Sequence, residues 1–465
     1  MEERDIQWVE QATLGILRPG GPVGTVRGVT TDSRAAGPGQ VFVALRGDRF
    51  DGHDFLGAVV EAGVKAVVVG PGWESRVPDG CAVVTVGDPK KALGRMAAVY
   101  RSEFGLPVVA VAGSNGKTTS KEMLGAVLET RGPVLRSEAS FNNDIGVPLT
   151  LMRLELRHWA AVLEAGTNHP GELAPLLGWI RPRFGLLTGI GREHMEFFGD
   201  LTGVAAEEGA LAEGLGTDGV LVMNGDSDFS DAVAERCRGR VIRFGAGSGH
   251  DWRVMSSRAG WDGERFRLET ERPGWSGEWW VGVPGRHMAI NAAGVLALAA
   301  ELGVEPEAAR EVLAGFRPPK QRLEVFEAGG VRVLNDCYNA NADSMLAALE
   351  TLYDLPCAGR RVAVLGDMNE LGSLSEPAHG EIGTRAAQVA DAIFAQGRHA
   401  DRTIAAARRA GAGVTAVHED VAALTEAVGG FVREGDVVLV KASRSARLER
   451  VTEGLLERLG REEAR

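Results

Sequence analysis

Cysteine is scarce in this chain of 465 residues. Its four cysteines, at positions 81, 237, 337 and 357, include no Cys-x-x-Cys spacing, so no disulfide framework is predicted. Apolar runs long enough to span a membrane are absent, and the residues from Met1 to Ile6 are too acidic for a signal peptide. The expected location is therefore the cytoplasm, without membrane insertion.

Positive charge is also limited, because the formal net charge is −12 and only seven lysines stand beside 44 arginines. This balance disfavours general binding to nucleic acids or anionic membranes, although it leaves room for one basic cleft. Lys117, Lys320 and Lys441 stand out for this reason, but a genomic base bias explains the ratio equally well. The length predicts about three domains of ~150 residues, each able to bury its own core.

The segment from Val108 to Thr119 carries the strongest local signal. Val108–Val111 is predicted as a buried strand and Ser120–Leu128 as the following helix, with a loop of small residues between them. Such a loop directs backbone N–H groups at phosphate oxygens, next to a helix N-terminus whose dipole favours anions. The candidate cofactor-binding residues here are Gly113, Ser114, Asn115, Gly116, Lys117, Thr118 and Thr119.

Two side chains of this loop have specific predicted roles. Lys117 supplies a point charge for the β- and γ-phosphates, and the Thr118 hydroxyl is placed to hold Mg²⁺. The pattern departs from the usual phosphate-binding loop, since Val111 stands where Gly-x-x-x-x-Gly-Lys-Thr begins with glycine. The alternative interpretation is a glycine-rich turn that binds no ligand.

Strand and helix patterns divide the chain into three α/β segments. Residues 1–85 show short strands and turns, 86–316 show apolar strands alternating with helices, and 317–465 show a further α/β pattern after a stiff linker at Phe316–Lys320. The central alternation predicts a parallel sheet flanked by helices. Within it, the tryptophan-rich residues 250–283 alternate apolar and polar side chains and are predicted as β-hairpins.

Two further candidates follow central strands, at the edge where open α/β sheets bind ligands. Glu164 ends an apolar strand, and its carboxylate suits Mg²⁺ together with Thr118, with a solvated carboxylate as the alternative. His194 follows another apolar strand and a glycine-rich turn. Imidazole is an uncommon Mg²⁺ ligand, so a capping or substrate-contact role is equally consistent with the chemistry.

Nine short motifs follow one another over nearly the whole chain. They are Thr30–Arg34, Val41–Arg49, Gly113–Thr119, Asn142–Thr150, Glu164–Asn168, His194–Gly199, Asp336–Asn341, Leu365–Gly372 and Val440–Arg444. In this order they resemble the Mur ligase family. The nucleotide loop alone would indicate only the wider group that includes the folylpolyglutamate synthetases. Tyr-Asn-Ala-Asn at 338–341 and Gly-Asp-Met at 366–368 point to the branch that adds D-alanyl-D-alanine, and the Asp-Asn-Pro-Arg motif of the MurE branch is absent.

The resemblance implies an ATP-dependent ligase of peptidoglycan precursor synthesis. Its architecture would be a small N-terminal α/β domain for the uridine nucleotide, a central phosphate-loop domain and a C-terminal Rossmann-like domain. ATP would phosphorylate the terminal carboxylate of UDP-N-acetylmuramoyl-tripeptide (UDP-MurNAc-tripeptide), and the amine of D-alanyl-D-alanine would attack the acyl phosphate. The implied cofactors are ATP and Mg²⁺, and the chain is expected to act as a monomer.

The resemblance gives Lys117, Glu164 and His194 catalytic roles. Thr118 and Glu164 would bind one Mg²⁺, and Glu164 and His194 would help to bind a second. One position departs from the family, which usually carries a carbamylated lysine fourteen residues after the histidine. Glu208 occupies it here, and our hypothesis is that its carboxylate, directly or through a water, replaces the carbamate as a metal ligand. The alternative is a solvated helix residue.

Nucleotide and substrate contacts follow from the same resemblance. Asn291 would contact adenine, while Arg322 and Asp336 would close on the phosphates and ribose. Without the resemblance, Arg322 would be interpreted as a solvated charge and Asp336 as a turn residue. The implied substrate-binding residues are Ser33 and Arg34, for the uridine diphosphate, and Asn142, Asn143, Tyr338, Asn339 and Asn341. Because such loop residues commonly bond their own turn backbone, a local role is the alternative. Ala342 replaces the family's usual proline, which is expected only to loosen a turn.

Two other functions compete with this interpretation. A sibling ligase would share the central domain and add a different amino acid, or act on folate or another cell-wall acceptor, so acceptor choice separates it. A non-catalytic nucleotide-binding protein on a ligase scaffold is the second competitor. Glu208 is the single residue that favours it, whereas Lys117, Thr118, Glu164 and His194 argue against it.

Overall fold

The structure is a computed structural model that describes residues 1–18 and 24–462. Within those residues the strands form a five-stranded, a nine-stranded and a seven-stranded sheet, together with one two-stranded pair. Each large sheet is built mainly of parallel strands connected through helices. The predicted α/β class and the predicted parallel central sheet are both confirmed.

The N-terminal sheet lies within residues 16–85. The elements of this region are β1 Arg4–Asp5, α1 Ile6–Thr13, β2 Ile16–Leu17, β3 Thr25–Val26, β4 Val29–Thr30, β5 Val41–Val43, α2 Leu56–Glu61, β6 Ala66–Val69, β7 Ala82–Thr85 and α3 Pro89–Ser102, with 3-10 turns at Ser33–Ala35, Gly52–Phe55 and Glu74–Arg76. Strands β7-β6-β5-β4 are parallel, β2 joins β7 antiparallel, and β1 pairs with β3. Neighbouring residues Val67 and Val68 enter different apolar clusters, so both faces of the sheet are covered.

The central sheet is the largest and carries the phosphate loop. The elements are β8 Val108–Ala112, α4 Lys117–Leu128, β9 Val134–Arg136, α5 Gly146–Leu151, β10 Ala160–Glu164, α6 Leu173–Ile180, β11 Phe184–Leu187, α7 Met195–Phe198, α8 Leu201–Glu208, α9 Ala210–Gly214, β12 Val220–Asn224, α10 Ser230–Ala234, β13 Arg240–Gly245, β14 Trp252–Gly260, β15 Gly263–Thr270, β16 Gly277–Val281, α11 Arg286–Glu301 and α12 Pro306–Gly315. The order is β16-β15-β14-β13-β12-β11-β8-β10-β9. Strands β14 to β16 are antiparallel, which confirms the predicted hairpins.

Strand β8 explains why the phosphate loop sits at the sheet edge. All five of its residues are buried, and their side chains alternate between two apolar clusters. Val108, Ala110 and Ala112 belong to one cluster, while Val109 and Val111 belong to the other. A strand buried on both faces is held in the middle of a parallel sheet, so its last residue delivers the loop to the carboxyl edge.

Two central helices differ from their predicted limits. Helix α4 begins at Lys117, earlier than the predicted Ser120, because Gly116 provides a left-handed N-cap with φ +84°. The apolar pattern of residues 204–215 predicts a single helix, but the chain forms α8 and α9, which are divided at Gly209. There the Arg236 guanidinium donates to two carbonyl oxygens of α8, those of residues 205 and 206, and so competes with the backbone bonds of a continuous helix.

The C-terminal sheet follows the predicted linker, which runs from α12 without helix or strand over residues 316–320. The elements are β17 Glu324–Ala328, β18 Val331–Asp336, α13 Ala342–Asp354, β19 Arg361–Leu365, α14 Ser375–Val389, β20 Ala392–Gln396, α15 Ala400–Arg409, β21 Val414–His418, α16 Val421–Phe431, β22 Val437–Lys441, α17 Glu449–Leu459 and β23 Arg461–Glu462, with 3-10 turns at Gly372–Leu374 and Arg444–Ala446. The order is β21-β20-β19-β22-β18-β17-β23, parallel from β21 to β18. Residues 324–462 are called the C-terminal unit below. Across the described ranges 1–18 and 24–462, no helix has both the length and the apolar character needed to cross a membrane.

Candidate functional site

A cavity of about 1080 Å³ opens between the carboxyl edge of the central sheet and the C-terminal unit. Most of the site residues predicted from the sequence line it: Ser114, Asn115, Gly116, Lys117, Thr118, Thr119, Asn142, Asn143, Glu164, His194, Asn291, Arg322, Asp336, Tyr338, Asn339 and Asn341. Four predicted residues lie outside this lining, namely Ser33, Arg34, Gly113 and Glu208. The fold thus gathers residues from positions 114 to 341 around one space.

Glycine is required at two positions of the phosphate loop. Gly113 has φ +118° and Gly116 has φ +84°, both in the left-handed region. A Cβ atom at Gly113 would overlap the Thr188 hydroxyl, and one at Gly116 would lie 2.6 Å from Nδ2 of Asn291. No side chain caps the N-terminus of α4, so the N–H groups of its first turn remain available to an anion, whereas the N–H of Ser114 donates to the carbonyl oxygen of Gly189 at 2.9 Å.

Lys117 holds its ammonium group inside the loop. Its Nζ atom donates to the carbonyl oxygen of Gly113 at 2.5 Å and to Oε2 of Glu193 at 3.2 Å. Burial opposes the charged form, but the carboxylates of Glu193, Glu208 and Glu164 outweigh it and raise the pKa of Lys117. The group therefore stays cationic at neutral pH, as phosphate binding requires.

Glu208 lies behind Lys117 on α8 and is only 1% exposed. Burial and the neighbouring Glu193 carboxylate raise the pKa of Glu208 well above its ordinary value, against the opposing effects of Lys117 and the backbone N–H of Gly113. The alternative of a solvated helix residue is therefore wrong. The replacement of a carbamate by Glu208 stays a prediction, since its carboxyl group lies outside the cavity lining.

Glu164 is also buried, and its carboxylate is bound on one side only. Its Oε1 atom accepts from Nδ2 of Asn142 at 2.8 Å, whereas Oε2 has no hydrogen-bond partner among the described residues. Lys121, which the sequence analysis missed, lies 4.0 Å from that oxygen and is fully buried. Its Nζ atom donates to the carbonyl oxygens of Ser137 at 2.6 Å and Ala139 at 2.8 Å.

The donor set at this edge fits a magnesium ion that accompanies a nucleotide. The unpartnered Glu164 oxygen and the Thr118 hydroxyl are hard oxygen donors, and both residues line the cavity. Within residues 1–18 and 24–462, no group of three or more His, Cys, Asp or Glu side chains could hold a metal on its own. This is compatible with Mg²⁺, which usually takes one or two carboxylates and completes its octahedron with water and phosphate oxygens.

Contacts from the C-terminal unit and the linker before it close the cavity over the phosphate loop. Among the side-chain pairs that make the connection are Arg322 Nη2 with Thr118 Oγ1 at 3.0 Å, Asn341 Nδ2 with Asn115 Oδ1 at 2.9 Å, and Tyr338 OH with Ser140 Oγ at 2.5 Å. The Arg322 guanidinium also lies over the Tyr338 ring, 4.0 Å from its centroid. Residues predicted as nucleotide and substrate contacts are thus in contact with one another across two sheets.

Three domain families of known proteins match successive parts of this chain. The Mur ligase family catalytic domain matches residues 25–101, the Mur ligase middle domain matches 111–299, and the glutamate ligase domain of Mur ligases matches 321–444. The UDP-N-acetylmuramoyl-tripeptide--D-alanyl-D-alanine ligase of Bacillus subtilis is 33% identical over 98% of this chain and 99% of the relative. The chain belongs to the Mur ligase family.

Other similar proteins support the assignment of this chain to the Mur ligase family. The ligase of the same description from Escherichia coli is 36% identical over 93% of this chain and 94% of its own. The crystal structure of MurF from Acinetobacter baumannii superposes with a TM-score of 0.89 at 30% identity, covering 98% of this chain and 99% of that one. The MurF ligase of Thermotoga maritima, solved in complex with ADP, gives 0.81 at 27% identity over 93% and 98%.

The remaining predicted residues of the Mur ligase have local partners. Arg34 lies in the 3-10 turn after β4, is exposed and pairs with Asp32 at 2.7 Å, outside the main cavity. Asn143 accepts from the backbone N–H groups of Ile145 and Gly146, as expected of a turn residue. These observations do not test a substrate role, which stays a prediction.

An ion pair with the buried Lys441 holds Asp336, the predicted ribose contact. Lys441 Nζ donates to its Oδ2 atom at 2.5 Å and to the carbonyl oxygen of Asn339 at 3.1 Å. Beside them, burial lowers the pKa of His287 to about 4, although Asp336 acts in the opposite direction. His287 is therefore neutral in the folded protein at physiological pH.

His194 has a partner that sequence analysis of the Mur ligase did not identify. Glu370, in the loop after β19, brings Oε2 to 2.5 Å from Nδ1 of His194. The contact with His194 lowers the pKa of Glu370 and outweighs its burial. Glu370 lies 176 positions away along the chain, and only the fold brings the two residues together.

Proposed function

We propose that this Mur ligase joins D-alanyl-D-alanine to UDP-MurNAc-tripeptide and forms UDP-MurNAc-pentapeptide, ADP and phosphate in peptidoglycan precursor synthesis. One observation carries the proposal. The phosphate-loop residues 114–119 and the Tyr-Asn-Ala-Asn segment at 338–341 line the same cavity, in a chain that matches ligases of this description over nearly its full length. The reaction needs a nucleotide site and an acceptor site to meet in this way.

The first step activates the stem peptide. A carboxylate is a poor electrophile, so one of its oxygens attacks the γ-phosphorus of ATP, ADP leaves and an acyl phosphate forms. Two anions must approach each other for this, which requires fixed positive charge. Lys117 and the N–H groups of the loop supply it from preorganised positions, without reorganisation during the reaction.

Mg²⁺ belongs to the same proposal, with Thr118, Glu164 and His194 as the residues that would hold it. Bound there, it would neutralise charge on the phosphates and orient them. The unpartnered Oε2 atom of Glu164 supports this role. Glu208 is proposed to contribute the carboxylate that a carbamylated lysine supplies elsewhere in the family.

The second step forms the peptide bond. The free amine of D-alanyl-D-alanine attacks the acyl carbon, phosphate leaves, and the nitrogen loses a proton. Tyr338, Asn339 and Asn341 are proposed to bind the dipeptide edge, Asn142 and Asn143 the stem peptide, and Ser33 with Arg34 the uridine diphosphate. Asn291 is proposed to contact adenine, with Arg322 and Asp336 on the phosphates and ribose.

We further infer three domains at residues 1–85, 86–316 and 317–465, because each range contains one of the three large sheets. Action as a monomer is part of the same proposal. The proposed location is the cytoplasm, where ATP is available.

The experiment is phosphate release by the purified protein with ATP, Mg²⁺ and UDP-MurNAc-tripeptide, with D-alanyl-D-alanine present or withheld. Release that depends on the dipeptide, with pentapeptide product by mass, is the expected result. Release with a single amino acid on a shorter precursor would instead make the protein a sibling ligase. No release with any pair would favour a non-catalytic nucleotide-binding protein.

A second experiment addresses Glu208. Glu208→Ala is expected to lose activity and to require more Mg²⁺, and bicarbonate is not expected to restore it. Glu235→Ala, at an exposed position after α10, is the matched control. Full activity of Glu208→Ala with unchanged Mg²⁺ dependence would contradict the metal hypothesis.

A further inference from the structure

Glu370 occupies an unusual backbone position at the cavity wall. It lies between β19 and α14 with φ +60°, in the left-handed region that residues with side chains rarely adopt. Its side chain lines the cavity and is 44% exposed. Backbone strain of this kind persists only where the surrounding structure enforces it, and it is concentrated at functional sites.

The surrounding structure that enforces it belongs to the central sheet. The carbonyl oxygen of Glu370 accepts from the backbone N–H of Glu196 at 3.0 Å, while its carboxylate meets Nδ1 of His194 at 2.5 Å. His194 itself has φ +46° and is the residue before α7. The loop of the C-terminal unit is therefore attached to the first turn of α7 through both its backbone and its side chain.

The two ring nitrogens of His194 face different carboxylates. The other ring nitrogen, Nε2, lies 3.9 Å from Oε2 of Glu193, which in turn contacts Lys117. With Nδ1 taken by Glu370, Nε2 is the nitrogen on the side of the phosphate loop. A carboxylate on one ring nitrogen fixes the tautomer and orientation of a histidine and leaves the other nitrogen as a ligand.

We propose that Glu370 is a positioning residue, which holds His194 with Nε2 towards the phosphate loop and does so only while the C-terminal unit is docked. This inference rests on the proposed function, because it concerns how His194 becomes ready to bind the metal of the nucleotide. This arrangement couples the two halves of the site. The C-terminal unit carries the Tyr-Asn-Ala-Asn segment at 338–341, and it also orients His194 on the ATP side.

The test uses the full chain, with Mn²⁺ and ADP as probes and no peptide substrate. Affinity for ADP is measured by calorimetry without metal, and Mn²⁺ binding to the ADP complex by electron paramagnetic resonance. Glu370→Gln is expected to weaken Mn²⁺ binding about 10–100-fold, the range found when the partner of a metal-bound histidine is removed. Affinity for ADP alone should remain within about twofold, since the loop that binds phosphate is unchanged. Glu370→Asp should recover part of the loss.

Two controls separate positioning from general damage. Glu376→Gln removes an exposed carboxylate of the same unit, on α14, and should leave both affinities unchanged. In a His194→Ala background, Glu370→Gln should have little further effect, because a residue that acts through His194 has nothing left to orient.

Three results would overturn the inference. The first is Mn²⁺ binding by Glu370→Gln at the wild-type level, and the second is full additivity of the two substitutions. The third, a wild-type protein whose ADP complex binds no Mn²⁺, would remove the metal part of the proposed function as well. If Mn²⁺ binds as expected but phosphate release does not depend on the dipeptide, only the proposed substrate would be wrong.

Discussion

The side-chain amide of Asn341 donates to the side-chain oxygen of Asn115 at 2.9 Å, and the two residues are 226 positions apart. Asn341 also caps α13, because its Oδ1 atom accepts from the backbone N–H of Ser344 at 2.8 Å. One side chain therefore begins a helix of the C-terminal unit and connects that helix to the phosphate loop.

The two roles of Asn341 can be separated by substitution. Asn341→Asp keeps an oxygen for the cap but loses the donor to Asn115, whereas Asn341→Ala loses both. The alanine variant is expected to be destabilised by about 1 kcal/mol, the usual value of an N-cap, and the aspartate variant much less. Both should raise the KM for ATP. Thermal unfolding and steady-state ligase kinetics measure the two effects, and a wild-type KM in Asn341→Asp would contradict the connection.

Gly116→Ala should weaken nucleotide binding. The added Cβ would lie 2.6 Å from Asn291 at a backbone angle that alanine does not readily adopt, so the loop must change shape. We expect ADP affinity to fall more than tenfold, measured by calorimetry. Gly57→Ala is the matched control, because a Cβ there meets no atom within 4 Å. Equal ADP affinity in the two variants would show that the loop tolerates a side chain.

Lys121→Met should weaken both the fold and the chemistry. The substitution keeps much of the side-chain volume but leaves the Ser137 and Ala139 carbonyl oxygens without their donor, at about 1–3 kcal/mol of stability. Because the same loop leads to Asn142, which binds Glu164, kcat should fall as well. Lys65→Met, at an exposed position, should change neither. Denaturant unfolding and ligase rates measure the effects, and an unchanged kcat would limit Lys121 to a structural role.

His287 should make the protein less stable in mild acid. Its pKa is about 4 in the folded protein against an ordinary value of 6.5, so the unfolded chain binds more protons between these values. The stability from neutral His287 is therefore complete above about pH 6.5 and is lost as the pH falls towards 4, by at most about 3 kcal/mol. In His287→Gln this contribution should disappear, which a comparison of denaturant unfolding at pH 7 and pH 4.5 measures. Parallel pH profiles for the two proteins would contradict it.

The sequence predicted the core of the central sheet well, because uninterrupted apolar runs such as Val108–Val111 mark strands buried on both faces. It missed β9 and β13, whose residues are only partly apolar and become strands by pairing with β10 and β12. It also missed the division at Gly209, because the responsible Arg236 is distant in sequence. Local patterns contain no information about such partners.

The site residues, too, could be predicted only where a local motif marks them. Lys117 and Thr118 follow from a local motif, whereas the burial of Lys121 and the contact of Glu370 with His194 depend on the packing of separate segments. Glu208 was expected either on a metal or in solvent, and the structure places it in a buried cluster beside Glu193. Charge alone did not reveal that environment.

Lysine is scarce in this chain, and more than half of its lysines lie at the cavity. Four of the seven lysines, Lys90, Lys91, Lys117 and Lys441, line it, while Lys65 and Lys320 are exposed elsewhere. Side-chain amines are thus concentrated at the one place where anionic substrates are proposed to bind. A nucleotide analogue that bears an aldehyde or an activated ester would meet its reactive partners there, and the two distant lysines would report how selective the labelling is.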